Sequence, residues 1–193
     1  AQKILIVPLR GDGAPDATAR LREAVTASGL HSLIDTTADS QREAQVQRML
    51  AGGQDPGIAP PLSASVIVRG AVAEPAYVHK LDSSSCSKCV AFDRKLKCTR
   101  KVQVTAYTLN ERCAVDIILQ ALRTADGVVL FETRVHGEAK NERTSEGREP
   151  SSDPAATCHM ALMRSTDNAA LLLVPENHKV KIEFHRVNGA NDA

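Results

Sequence analysis

Tryptophan is missing from the 193 residues, and Phe, Trp and Tyr together make only 3% of them. Surfaces that stack bases or sugar rings are built from such side chains, so a nucleic-acid partner is not expected. Long apolar runs are missing too: none approaches the ~20 residues that a membrane helix needs. Neither sign of charge dominates, with 24 Lys and Arg against 23 Asp and Glu for a formal charge of +1. No whole-molecule attraction to a polyanion or a membrane follows from that balance. The six histidines (31, 79, 136, 159, 178 and 185) form no His-x-x-x-His or Glu-x-x-His pattern. Nothing in the spacing of polar residues asks for an active site, and the expectation is a protein that is not an enzyme and holds no cofactor. The 42% of apolar residues suffices, at this length, for one domain, 1–193, with its own core.

What is present begins with Lys3-Ile4-Leu5-Ile6-Val7, a short apolar run that ends at Pro8 and reads as a strand buried on both faces. Ala17, Leu21, Ala24 and Val25 then recur at helical spacing over 16–28, and Gly29 supplies a stop. A second strand is expected over His31–Asp35. A second helix follows, with Ser40 and Glu43 as a capping box and Val46, Met49 and Leu50 as its apolar stripe. The stretch 53–61, rich in Gly and Pro, is a loop.

The second half changes from crossovers to hairpins. Residues 64–72 are strand-like, as are 115–123 and 128–135, which Thr124-Ala125-Asp126-Gly127 joins as a hairpin. Alternation reaches further upstream, since Tyr107, Leu109, Cys113, Val115, Ile117, Leu119 and Ala121 can share one face. A long strand starting near Lys101 is predicted, with a bulge at Asn110-Glu111. Residues 138–152 are charged and polar apart from Ala139 and read as a mobile loop. Asp153-Pro154 is a helix start. The helix runs to about Leu173 and buries Cys158, Leu162, Ala169 and Leu173, with a break expected near Ser165–Asn168. Val180, Ile182 and Phe184 form a last half-exposed strand, and 188–193 a frayed tail. The sum is an α+β fold, a mixed sheet flanked by helices.

Three features invite chemistry. Gly11-Asp12-Gly13 between a strand and a helix resembles part of a dinucleotide loop, but the third glycine is missing. Asp16 also puts a negative charge where a pyrophosphate would sit, and it is better read as a helix cap. The cysteines are more specific: Cys86, Cys89, Cys98 and Cys113 cluster, with Cys158 apart. Zinc held by the four clustered thiolates is the alternative function, although the second close pair is lacking. If the strand from Ala64 pairs antiparallel with the one ending near Arg123, matching Ile67 with about Gln120, Cys89 faces Cys98 near a hairpin tip. A disulfide there, in an oxidising compartment, is the favoured reading, with Cys86, Cys89, Cys98 and Cys113 all disulfide candidates. Cys158, beside Met160 and Leu162, is expected to be a buried free thiol.

The third feature is charge. From Lys80 to Lys101 there are seven basic residues (Lys80, Lys88, Arg94, Lys95, Lys97, Arg100, Lys101) against Asp82 and Asp93. That local +5 leaves −4 for the rest of a +1 chain. The inserted hairpin, 73–101, therefore carries a basic tip, with Lys88, Arg94, Lys95, Lys97, Arg100 and Lys101 as candidate partner-binding residues. It could meet lipid headgroups, an anionic polymer or an acidic protein face. It could equally be a solvated loop that protects strand edges.

Three segments carry a family resemblance: Lys3-Ile4-Leu5-Ile6-Val7-Pro8-Leu9, Val66-Ile67-Val68-Arg69-Gly70-Ala71-Val72, and Leu119 to Leu130 with the Asp126-Gly127 turn. They resemble strands of the bacterial envelope superfamily that includes the curli secretion lipoprotein, the TolB amino-terminal domain and lipoprotein activators of peptidoglycan synthases. The cysteine-bearing insertion is not a shared feature, and the tip is too charged to lie in lipid as the curli channel's hairpins do. The lipidated cysteine of many members would have to precede Ala1. The resemblance implies an accessory of secretion, polymer export or envelope assembly, in the periplasm or at the outer membrane. It also implies a capacity for homo-oligomers, and it transfers no catalytic residue.

Overall fold

Among the described residues, two parallel and three antiparallel pairings build the sheet. The computed structural model describes residues 2–34 and 64–174. The expected helix with Ser40, Val46, Met49 and Leu50, the loop 53–61, the strand of Val180, Ile182 and Phe184, and the tail 188–193 lie outside the described residues. Within them the order is β1 (Gln2–Ile6), α1 (Ala14–Ser28), β2 (His31–Leu33), β3 (Val66–Val72), β4 (Ala76–Phe92), β5 (Cys98–Arg123), β6 (Val129–Glu146) and α2 (Pro154–Leu173). The fold is α+β, with an open mixed sheet of six strands and two helices among the described residues.

β1 lies between β2 and β3, parallel to both. Its Ile4 and Ile6 face the helices while Leu5 joins Ile67 and Ala64 in a second buried cluster. A strand enclosed on both sides has to be apolar throughout, as Ile4-Leu5-Ile6 is. β3 pairs with β5 as Ile67↔Leu122 and Arg69↔Gln120, two residues from the expected match. A shift by two leaves every side chain on its predicted face, whereas a shift by one would invert them.

On the helix side of β5, Val115, Ile117, Leu119 and Ala121 meet Leu21 and Val25 of α1 and Ala161, Leu162 and Ala169 of α2. α2 comes very close to the sheet at Gly137, where a β-carbon would lie 2.3 Å from both the Ala161 carbonyl and the Ser165 amide. Small hydroxyl residues line that contact. Ser165 and Thr166 are buried and donate to the carbonyls of Val135 and Leu162. The predicted break near Ser165–Asn168 does not occur: α2 is continuous, with Ser165 and Thr166 buried in tertiary packing that overrides their weak helix preference.

Other expectations are corrected. The N-cap of α1 is Gly13, not Asp16, which sits inside the first turn near His159. The glycine loop is a packing junction: a β-carbon on Gly11 would meet the Val72 carbonyl, and one on Gly13 would meet Leu162. Its space is filled by the chain's own atoms, so it forms no phosphate cradle. β5 passes through Asn110-Glu111 without a bulge, and the irregularities fall at Ala121/Leu122 and around Cys89–Phe92. Residues 138–146 are not a mobile loop. They extend β6 along β5, so that their backbone groups pair from Ala114↔Glu138 to Ala106↔Glu146. Ladder pairing needs no apolar alternation, which is why a polar sequence conceals the strand.

The outcome is a body with an arm. β3 covers residues 117–123 of β5 and β4 covers 98–114, with Ala73 donating to the Asp116 carbonyl between them. On the other edge, β6 follows β5 only as far as Ala106. The arm is thus three-stranded near the body and two-stranded beyond. At about 3.4 Å per residue, its tip lies roughly 60 Å from the body's last β3 pairing.

Candidate functional site

The foot of the arm is organised by a residue that sequence reading missed. Glu111 points to the helix side of β5 and is only 2% exposed. Its carboxylate accepts from the Tyr77 hydroxyl (2.6 Å), the Asp153 amide (2.7 Å), the Asn141 side chain (3.2 Å) and the Arg143 guanidinium. Strand register explains the assembly: Asn141 is directly opposite Glu111, while Tyr77 and Arg143 lie diagonally across on β4 and β6. Burial alone would raise the pKa of Glu111. The donated hydrogen bonds, that of Arg143 foremost, outweigh it and hold the group at about 2. Tyr77 is shifted up, first by burial and then by its bond to Glu111. The network joins β4, β5, β6 and the start of α2, whose N-cap Asp153 accepts from Ala156.

A disulfide reinforces the same joint. Cys113 of β5 is bonded to Cys158 of α2, with Cα atoms 5.0 Å apart. Cys158 is therefore not the expected free thiol: the second turn of α2 lies over the strand face that carries Cys113. Cys89 and Cys98 form the tip disulfide, Cα atoms 5.8 Å apart. They are not direct ladder partners, since Cys89 faces Lys101 and Cys98 faces Phe92, and the irregular pairing between them brings the sulfurs together. Cys86, also a disulfide candidate by sequence, is instead an exposed free thiol, because the other four cysteines pair with one another. These pairings take apart the alternative zinc set of Cys86, Cys89, Cys98 and Cys113, because three of its four sulfurs are bonded elsewhere and are no longer thiolates.

The candidate basic residues all lie on the outer arm. The Lys88 ammonium pairs with Glu146, the last residue of β6. Among the described residues, Arg94, Lys95, Lys97, Arg100 and Lys101 make no ion pair, and all are exposed. The turn between the strands is ordered by Asp93, whose carboxylate accepts from the amides of Lys95 (2.8 Å) and Lys97 (2.9 Å).

The face of the arm turned away from the helices mixes charged side chains with apolar ones such as Val78. A depression of about 590 Å³ there is lined in part by Lys80, Arg112, Lys140 and Glu142. Its charges are largely satisfied internally, by Arg112–Glu138 (2.5 Å), Lys140–Glu138 (3.1 Å) and Lys80–Asp82 (2.7 Å). Arg112, then Lys140, holds Glu138 below the usual carboxylate range. Nearer the body, Asp116 and His136 face each other across the ladder and are bonded at 2.7 Å. Their separation of 20 residues hides this pair from motif reading. Among the described residues no hydroxyl or thiol is bonded to that histidine, so the geometry assembles no nucleophilic triad.

No protein-family model and no curated protein matches this chain. Several solved structures are similar to it. They include a PelC dodecamer from Paraburkholderia phytofirmans, with TM-score 0.38 and 14% identity over 88% of this chain and 86% of that one. Lipoprotein GNA1162 from Neisseria meningitidis has TM-score 0.36 and 12% identity over 88% and 99% of the two chains. The hypothetical protein CT253 from Chlamydia trachomatis has TM-score 0.38 and 10% identity over 72% of each. Likeness at this level assigns neither family nor activity.

Proposed function

We propose that this chain is a non-enzymatic accessory protein of the bacterial cell envelope, in the periplasm or at the outer membrane. It binds a protein or polymer through its arm, in secretion, polymer export or envelope assembly. The arm carries this reading. A buried carboxylate network and a strand-to-helix disulfide hold it to the body, and a second disulfide closes its tip. Ordering so many exposed residues brings little apolar burial in return, which fits an element kept for surface contact. Two disulfides fit an oxidising space better than a reducing cytosol. A homo-oligomer belongs to the reading, because the outer edges of β4 and β6 pair with no further strand among the described residues.

The test is to fractionate cells that make the protein from its full reading frame, with thiols trapped before lysis, and to weigh the intact chain. An envelope fraction in which Cys86 alone is alkylated is the expected result. A cytoplasmic protein with five alkylated cysteines overturns the reading. Replacing residues 85–103 by a short turn should then remove function in the cell while the body stays folded; full function without the tip overturns the role given to the arm.

A further inference from the structure

We infer that the tip of the arm is a contact site for an anionic lipid surface. Val90, Phe92 and Leu96 enter the headgroup region, and Arg94, Lys95, Lys97, Arg100 and Lys101 bind phosphates around them. The inference rests on the reading of the arm as a contact element and names what its end touches.

The first support is the apolar group at the apex. Leu96 is 83% exposed, Phe92 61% and Val90 51%, in a chain with only three Phe and no Trp. They stand at the point farthest from the core, where solvation of the hairpin would favour polar side chains. Leu96 also has φ of 60°, the one non-glycine residue with positive φ among those described. A bulky side chain is disfavoured there, and Gly or Asn would relieve the backbone. A large apolar residue so exposed, in a strained backbone position, gains from an environment outside the chain.

Charge supplies the second support. The five cations without ion-pair partners surround the apolar group, on a segment of +5 attached to a remainder of −4. Long basic side chains reach phosphates while their stems lie along apolar surface, so one interface accommodates both kinds of residue. An acidic protein face would satisfy the cations but would need a matching pocket for three apolar side chains. A bilayer interface needs none. The depth is limited by what lies behind the tip, since Ser83, Ser84, Ser85 and Ser87 follow on β4 and are exposed. Contact is therefore interfacial, with no spanning strand. The Cys89–Cys98 bond and the Asp93 turn keep the apex in one shape before it meets the surface, which lowers the ordering cost of contact.

The chain has no tryptophan, so Leu96→Trp places a single reporter at the apex. Purified protein with both disulfides intact by mass is mixed with phosphatidylcholine vesicles, with or without phosphatidylglycerol. We expect a blue-shifted emission and co-sedimentation with the anionic vesicles only, weakened by salt. Leu96→Asp or Phe92→Ser should lower partitioning about tenfold, and Lys95→Ala or Lys97→Ala about fivefold each. Absence of binding to anionic vesicles overturns the inference. So does binding to polyglutamate that needs the lysines but is indifferent to Leu96→Asp, which would assign the tip to an acidic macromolecule. The two proposals fail separately. An envelope protein that ignores vesicles removes the lipid inference alone, and a cytoplasmic chain with reduced cysteines removes the envelope reading whatever the vesicles show.

Discussion

The body and the arm are parts of one sheet, yet different forces hold them. In the body, Leu119, Ile117 and Val68 are fully buried against α1 and α2, and apolar burial dominates. Along β4, by contrast, every residue is exposed or half-buried. There the backbone ladder, ion pairs and cross-links do the holding. At the foot of the arm the two regimes meet around Glu111, a charged group buried because four donors converge on it. A strand can leave its core and stay ordered, provided the point of departure is tied in polar and covalent ways.

The comparison is tested most strongly at the Cys113–Cys158 bond. Replacing both cysteines by alanine frees a loop with a sequence separation of 45 and should cost about 4 kcal/mol on loop-entropy grounds, read from the denaturant midpoint. Arg143→Ala leaves the buried Glu111 carboxylate short of its main partner and should lower the denaturant midpoint, by less than loss of the disulfide, with amide exchange rising first in β4 and β6. A neutral result for Arg143→Ala would mean that the arm does not depend on this network.

Acid should separate the regimes further. The folded pKa of Glu111 is about 2 against an ordinary value of 4.5. As pH falls, the unfolded chain therefore binds the proton first. The stabilisation is complete above about 4.5 and is lost progressively as pH falls toward 2. Denaturant midpoints measured across that range should slope in the native protein and slope less in Glu111→Gln, where Glu138 still contributes.

Smaller effects are expected at the tip and on the surface. Opening Cys89–Cys98 by the paired alanine change should leave the global melting temperature unmoved while raising protease cleavage near 90–100, because the tip contributes little to the core. A fall of several degrees would join tip and body in one cooperative unit. Arg20–Asp167, which links α1 and α2 with both side chains about half exposed, should be worth less than about 1 kcal/mol when Arg20→Ala is measured in a double-mutant cycle.

Much of this was legible beforehand, and the exceptions share a cause. Alternation from Tyr107 to Ala121 marks the inner face of β5, Asp126-Gly127 marks its turn, and Asp153-Pro154 marks the start of α2. Glu111 breaks that alternation and reads as a bulge, since a lone charge among apolar positions has no local explanation. Its partners Tyr77, Asn141 and Arg143 stand 30 or more residues away. The polar extension of β6 was missed for a related reason: pairing satisfied its backbone, and no apolar pattern was needed. Asp116 and His136 became neighbours only through register.

By itself the sequence determined the α+β class, the faces of the strands, the hairpin that brings Cys89 near Cys98, and the basic character of the tip. These depend on local periodicity, turn chemistry and the charge of neighbouring residues. Tertiary structure alone decided that Cys113 joins Cys158, that Glu111 is buried and ionised, and that 138–146 stiffens the arm. Each of these is a meeting of groups distant along the chain, and it becomes favourable only after the helices and strands have set their distance and register.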